Sequence, residues 1–109
     1  MKLVIGGASQ GKRAYAAEYY GDDFEIIADF HLLILELLKK GASPVEYMNE
    51  HLPEYEDKVI ICDDIFCGVV PEDPLMRRWR ESLGNVIAVI AKESDEVVRV
   101  FCGLGVRLK

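Results

Sequence analysis

The chain has 109 residues, half of them hydrophobic, which is the size of one domain with one buried core. Its 19 acidic and 13 basic side chains leave a formal net charge of −6. With no basic tract and no zinc-type cysteine spacing, nucleic acid is not an expected partner. The longest apolar run, Leu32 to Leu38, is broken by Glu36 and is far too short to span a membrane, so no membrane association is expected.

Met1-Lys2 leads directly into a short apolar strand, Lys2 to Ile5, with no signal peptide expected before it. Gly6-Gly7-Ala8-Ser9-Gln10-Gly11-Lys12 follows, which is the spacing of a phosphate-binding loop. In such a loop the glycines let successive N–H groups converge on an anion, and the next helix adds its positive end. Lys12 would reach the outer phosphates. The next position should be Ser or Thr, whose hydroxyl completes a Mg²⁺ shell, but here it is Arg13. A guanidinium has no lone pair for a metal, so Arg13 is expected to touch phosphate instead. Gly6, Gly7, Ala8, Ser9, Gln10, Gly11, Lys12 and Arg13 are therefore the candidate nucleotide-binding residues.

Arg13 to Tyr20 is expected to be a helix ended by Gly21, and Phe24 to Ala28 a second strand ending at Asp29. His31 to Lys40 forms the next predicted helix, closed by Gly41. Ser43-Pro44, with Glu46, has the capping pattern of a third helix running to about His51, and Pro53 lies in a loop. Lys58 to Cys62 is β-branched and apolar throughout, as expected of a buried central strand, and ends in Asp63-Asp64. After a loop from Ile65 to Glu72, Asp73-Pro74 starts a long helix. Leu75, Met76, Trp79, Leu83, Val86, Ile87 and Ile90 recur on it at helical spacing, as a core stripe. Val97 to Phe101 and Val106 to Leu108 are strands joined by a turn at Gly103 to Gly105.

The order β-α-β-α-α-β-α-β-β implies a mostly parallel sheet covered on both faces. Ligands of such sheets bind beyond the carboxyl ends of the strands, where the Gly6–Lys12 loop, Asp29 and Asp63-Asp64 all fall. Asp29 and the Asp63-Asp64 pair are the candidate acids of such a site; helix capping is the rival role for Asp29, while Asp63-Asp64 does not immediately precede a helix. The odd set Cys62, Cys67 and Cys102 is expected to be reduced apolar filler in a cytoplasmic protein. His31 and His51 are expected at the surface or at helix ends. Arg77 and Arg80 share a helix face, either solvated beside Glu72 and Glu81 or touching an anion.

The segment Cys62-Asp63-Asp64-Ile65-Phe66-Cys67-Gly68-Val69-Val70-Pro71-Glu72 resembles the Ser-Asn-Glu-Val-Gly-x-Gly-Ile-Val-Pro-Glu stretch of the adenosylcobinamide kinase/adenosylcobinamide-phosphate guanylyltransferase family. Leu75 to Glu81, Gly84, Asp95-Glu96-Val97 and the ending Gly103 to Lys109 resemble later motifs of that family, and the Gly6–Lys12 loop its first. Ile27 to Ile34 is similar to its Val-Asp-Cys-Leu-Thr-Leu-Trp segment, which puts Asp29 on the family's acidic strand end. The resemblance implies a three-layer α/β/α fold of RecA type with an antiparallel C-terminal hairpin, over residues 1–109 as one nucleotide-binding domain. It also implies GTP or ATP as cofactor with Mg²⁺, held by Asp29 or Asp64, a corrinoid substrate, a homo-oligomer, and kinase chemistry on an alcohol with Lys12 and Asp64 as the candidate catalytic residues. The departures fall on chemistry: Arg13 for the loop Ser, Asp63-Asp64 for Asn-Glu, and Ile87-Ala88 for Asn-Gln. Family members run to roughly 180 residues, a typical domain size. The segment absent between Gly21 and Phe24 carries the family's guanylylated histidine, so guanylyl transfer is expected to be lost. The rival expectations are a non-catalytic nucleotide- or phosphate-binding module or pseudoenzyme subunit, and a relic that binds nothing.

Overall fold

The computed structural model describes residues 1–65 and 70–109; Cys67 and the loop residues Phe66 to Val69 lie outside the described residues. Among the described residues five strands form one sheet in the order β2-β3-β1-β4-β5. They are β1 (Lys2–Gly6), β2 (Glu25–Ile27), β3 (Lys58–Asp63), β4 (Glu96–Phe101) and β5 (Leu104–Arg107). β1 pairs in parallel with both β3 and β4, β2 pairs in parallel with β3, and only β5 runs antiparallel, against β4. The expected fold class is the observed one. β2 is shorter than the expected Phe24–Ala28, because it has a single neighbour and pairs only through Glu25 to Ile27.

Among the described residues four α-helices cover the sheet: α1 (Lys12–Tyr20), α2 (Phe30–Lys39), α3 (Pro44–His51) and α4 (Pro74–Glu93). The two-residue period of the strands divides their side chains between two cores. Leu3, Ile60, Cys62 and Val97 pack with Phe30, Ile34, Met48, Leu83, Val86 and Ile90 beneath α2, α3 and α4. Val4, Val59, Ile61, Val98 and Val100 pack on the other face with Ala16 and Tyr20 of α1. Among the described residues α1 therefore lies alone on its side of the sheet, with the phosphate-loop spacing at its N-terminal end.

The helix ends follow their local chemistry. Ser43 Oγ accepts from Glu46 N at 3.4 Å, and Asp73 Oδ1 accepts from Leu75 N at 2.8 Å and Met76 N at 3.1 Å. Gly41, at φ +78°, closes α2 through Gly41 N to Leu38 O and Ala42 N to Leu37 O. Gly21 ends α1 in the right-handed region instead. A 3₁₀ turn over Leu52–Tyr55, placed by the residue pair Leu52-Pro53, occupies the expected loop. Of the predicted stripe on α4, Leu83, Val86, Ile87 and Ile90 are buried core and Trp79 packs against it, while Leu75 and Met76 in the first turn are only half-buried.

Candidate functional site at the phosphate loop

The loop after β1 needs glycine at two positions, for different reasons. Gly11 holds φ +92° and is the N-cap of α1. A Cβ on Gly6 would lie 2.4 Å from Val100 O, so β1 and β4 can approach here only without a side chain. Gly7 has ordinary room for a Cβ, whose nearest neighbour would be Gln10 Cγ at 3.5 Å. Ser9 is a non-glycine residue at φ +58°. The loop is tied to the β4–β5 turn through its own backbone and side chain: Gln10 Oε1 accepts from Cys102 N and Gln10 O from Gly103 N, both at 2.8 Å.

Residues Ala8 to Ala14, with Asp29, Ile61 and Asp63, line a cavity of about 330 Å³. The structure thus brings Ala8, Ser9, Gln10, Gly11, Lys12, Arg13 and Asp29 around one space, while Gly6, Gly7 and Asp64 stand outside its lining. Lys12 is buried, its Nζ donating to Gly7 O at 2.5 Å and pairing with Asp63 Oδ1 at 2.7 Å. Arg13 Nη2 pairs with Asp29 Oδ2 at 2.5 Å. The four charged side chains of the cavity therefore cancel in two ion pairs. What remains positive is backbone: the first-turn N–H groups of α1 lack intrahelical acceptors, and Gly11 offers no side chain to cap them.

Asp29 occupies the N-cap position of α2 at φ +55° without making a capping hydrogen bond. A left-handed conformation at a non-glycine residue is strained, and here its carboxylate serves Arg13 instead of the helix. Asp64 lies beside Gly7, and its Oδ2 faces Arg99 Nη2 of β4 at 3.4 Å. The acid that meets Lys12 is Asp63. β3 alternates, with Val59 and Ile61 toward α1 and Ile60 and Cys62 toward α2 and α4. Asp63 continues the α1 side. That parity was the available signal, and sequence matching alone pointed past it to Asp64.

His31 corrects an expectation. It is not a surface or capping residue but is 7% exposed. Its Nδ1 accepts from Asp63 N at 3.2 Å, its Nε2 lies 3.5 Å from Asp63 Oδ2, and its carbonyl accepts from Trp79 Nε1 at 2.7 Å. Nothing in the spacing of a lone histidine announces this, because the contact joins residues 32 positions apart. His51 is stacked on Tyr47 at 4.1 Å, with Nδ1 2.7 Å from Tyr47 O. Cys62 is buried filler as expected, whereas Cys102 is exposed, at φ +52° in the β4–β5 turn. Arg77 and Arg80 line a separate open groove with Val70, Glu81 and Gly84.

The donor set does not fit Mg²⁺ as this motif ordinarily builds the site. A guanidinium stands where the hydroxyl ligand is needed, and it holds Asp29. Asp63 is shared by Lys12 and His31. Among the described residues no three His, Cys, Asp or Glu side chains converge as a metal site.

A family model described as cobinamide kinase / cobinamide phosphate guanyltransferase matches residues 31–108. The bifunctional adenosylcobalamin biosynthesis protein CobU of Salmonella typhimurium is 37% identical to this chain over 51 residues, and that of Escherichia coli 35% over 51 residues. Each match takes in 47% of this chain and 28% of the relative, so the chain aligns with under a third of either protein. The family match begins at residue 31, beyond the Gly6–Lys12 loop. The loop is therefore an observation independent of it. No helix among the described residues is long and apolar enough to cross a membrane.

Proposed function

The chain belongs to the cobinamide kinase / cobinamide phosphate guanyltransferase family, and on that premise we propose that it binds a nucleoside triphosphate, GTP or ATP, through the phosphates at the Gly6–Lys12 loop. The observation that carries this reading is the cavity of about 330 Å³ that places Lys12 at the uncapped N-terminus of α1. An anion entering it meets amide groups of Ala8 to Arg13 and competes with Asp63 for the Lys12 ammonium. The reaction suited to the family is transfer of a γ-phosphoryl group to an alcohol, such as the aminopropanol hydroxyl of adenosylcobinamide. In that reaction Lys12 and the loop amides would hold the charge that builds up on the transferred group. Asp63, beside Lys12, is better placed than Asp64 to receive the acceptor's proton.

Guanylyl transfer is not part of this reading. His31 has both ring nitrogens turned to Asp63 and does not line the cavity, and His51 is bonded to Tyr47. A second reading, a nucleotide- or phosphate-binding module without turnover, is favoured by the Arg13–Asp29 pair, which occupies the place of the metal shell. Either form would act in the cytoplasm beside other enzymes of corrinoid assembly, alone or as a homo-oligomer. Calorimetric titration with GTP and ATP, with and without Mg²⁺, followed by assay of phosphate transfer to cobinamide, tests the proposal. Mg²⁺-dependent binding with turnover supports the kinase, and metal-independent binding without turnover supports the module. No binding of nucleotide or of inorganic phosphate at millimolar concentration overturns both.

A further inference from the structure

The two oxygens of the Asp63 carboxylate are divided between two partners. Oδ1 lies 2.7 Å from Lys12 Nζ, and Oδ2 lies 3.5 Å from His31 Nε2. The tautomer of His31 follows from its other bond. Because Nδ1 accepts the backbone N–H of Asp63 at 3.2 Å, it carries no proton, and the neutral ring bears its hydrogen on Nε2, the nitrogen that faces Oδ2. The ring cannot easily turn away. It is buried, lies tilted beside Trp79 at 6.2 Å between ring centres, and has its own carbonyl tied to Trp79 Nε1 of α4. At 3.5 Å the Nε2–H contact is electrostatic and still short of a full hydrogen bond.

A phosphate drawing Lys12 toward itself takes away the ammonium of Asp63. A carboxylate whose side chain is only 25% exposed then lacks its counter-charge unless another donor closes on it. His31 Nε2–H is positioned to do so, from the side away from Lys12. We propose that His31 is a positioning residue for the phosphate site: it takes over Asp63 as Lys12 turns to the ligand, and so lowers the cost of parting Lys12 from Asp63. The inference rests on the nucleotide-binding reading above. The resembled family segment carries leucine at this point, so the device belongs to this chain and accompanies the change of Asn to Asp at position 63.

The test is a double-mutant cycle in GTP and ATP affinity, measured calorimetrically in the whole chain. His31→Asn keeps an acceptor for the Asp63 amide but ends short of the Nε2 position, so its amide N–H draws back from Oδ2; His31→Gln restores a donor at that reach. His31→Asn is expected to weaken binding about tenfold, the size of a hydrogen bond to a charged group. His31→Gln should recover most of the loss, and in an Asp63→Asn background His31→Asn should have no effect. Melting temperatures read alongside identify misfolding. Should both variants melt early, His31→Leu, which matches the resembled segment, replaces them in the cycle. Equal losses with and without Asp63, or no loss at all, overturn the proposal.

A second arm needs no nucleotide. In Lys12→Met the Asp63 carboxyl is followed by ¹³C NMR against pH, with and without His31→Asn. A higher titration midpoint without the histidine supports the clamp, and an unchanged midpoint overturns it. Absence of nucleotide binding in the wild type together with a shifted midpoint would overturn the nucleotide reading alone and leave the His31–Asp63 contact standing.

Discussion

Lys12 Nζ and Asp63 Oδ1 lie 2.7 Å apart, a loop lysine paired across the end of the sheet with the last residue of β3. The pair makes Asp63 an internal competitor for any anion the loop receives. Replacing Asp63 by asparagine is expected to tighten tripolyphosphate binding. An ion pair with one partner partly exposed is worth about 1 kcal/mol, and its removal translates to roughly fivefold in affinity. Lys12→Met should do the reverse and weaken binding by more than about tenfold, since a charge-assisted contact is lost. Isothermal titration with tripolyphosphate measures both.

Gly6 and Gly7 are adjacent in the sequence but differ in what they tolerate. Gly6→Ala drives a Cβ to 2.4 Å from Val100 O, which is backbone and cannot swing aside. A destabilisation of about 1–3 kcal/mol or more is expected, as for overpacking in a rigid site. Gly7→Ala meets the flexible Gln10 side chain at 3.5 Å and the Asp64 carboxylate at 4.0 Å, both ordinary contacts, and should leave stability in urea within about 0.5 kcal/mol of wild type.

The long helix α4 depends on Asp73 at its start. Asp73 Oδ1 accepts from two first-turn amides, Leu75 N and Met76 N. Asp73→Ala should cost about 0.5–2 kcal/mol, and Asp73→Ser less, both read from chemical denaturation. Nucleotide affinity should follow stability only, because Asp73 does not line the loop cavity.

Buried Cys62, Tyr20 and Tyr55 set the alkaline limb of stability. Burial, with the neighbouring Asp63 charge, pushes the Cys62 thiol from its ordinary 9.0 up to about 12. Burial likewise raises Tyr20, helped by its hydrogen bond to Glu96, and Tyr55, helped by its bond to Tyr47. These groups ionise more readily unfolded than folded. Their contribution is therefore fully present below about pH 9 and declines as pH rises toward 12. Urea midpoints measured from pH 8 to 11 should stay level to about pH 9 and fall from there. In peptide mapping after iodoacetamide at pH 8, Cys102 should be labelled in the native protein, and Cys62 only after denaturation.

Elements with a strong local signature are legible in the sequence. The capping residues Ser43 and Asp73, the αL glycine Gly41 and the apolar β3 announce themselves within a few residues, because capping, turn chemistry and strand burial are local requirements. The loop glycines and Lys12 were legible for the same reason. Less visible was which acid serves that lysine. Asp63 and Asp64 are chemically alike and adjacent, and they are told apart only by the face each takes at the end of β3. His31, Cys102 and the Gln10 tie to the β4–β5 turn were not legible, since each acquires its surroundings from a segment distant in the chain.

By itself, then, the sequence determined the element order, the parallel sheet with its terminal hairpin, and a glycine-rich loop between β1 and α1. These follow from periodicity and backbone permissiveness, which need no long-range partner. Only the tertiary structure decided the pairing of charges around that loop: Lys12 with Asp63, Arg13 with Asp29, Asp64 with Arg99, and His31 behind Asp63. The reason is physical. Ion pairs and buried hydrogen bonds are set by distances of a few ångströms between side chains, and those distances come into being when β2, β3, β1 and β4 align their carboxyl ends.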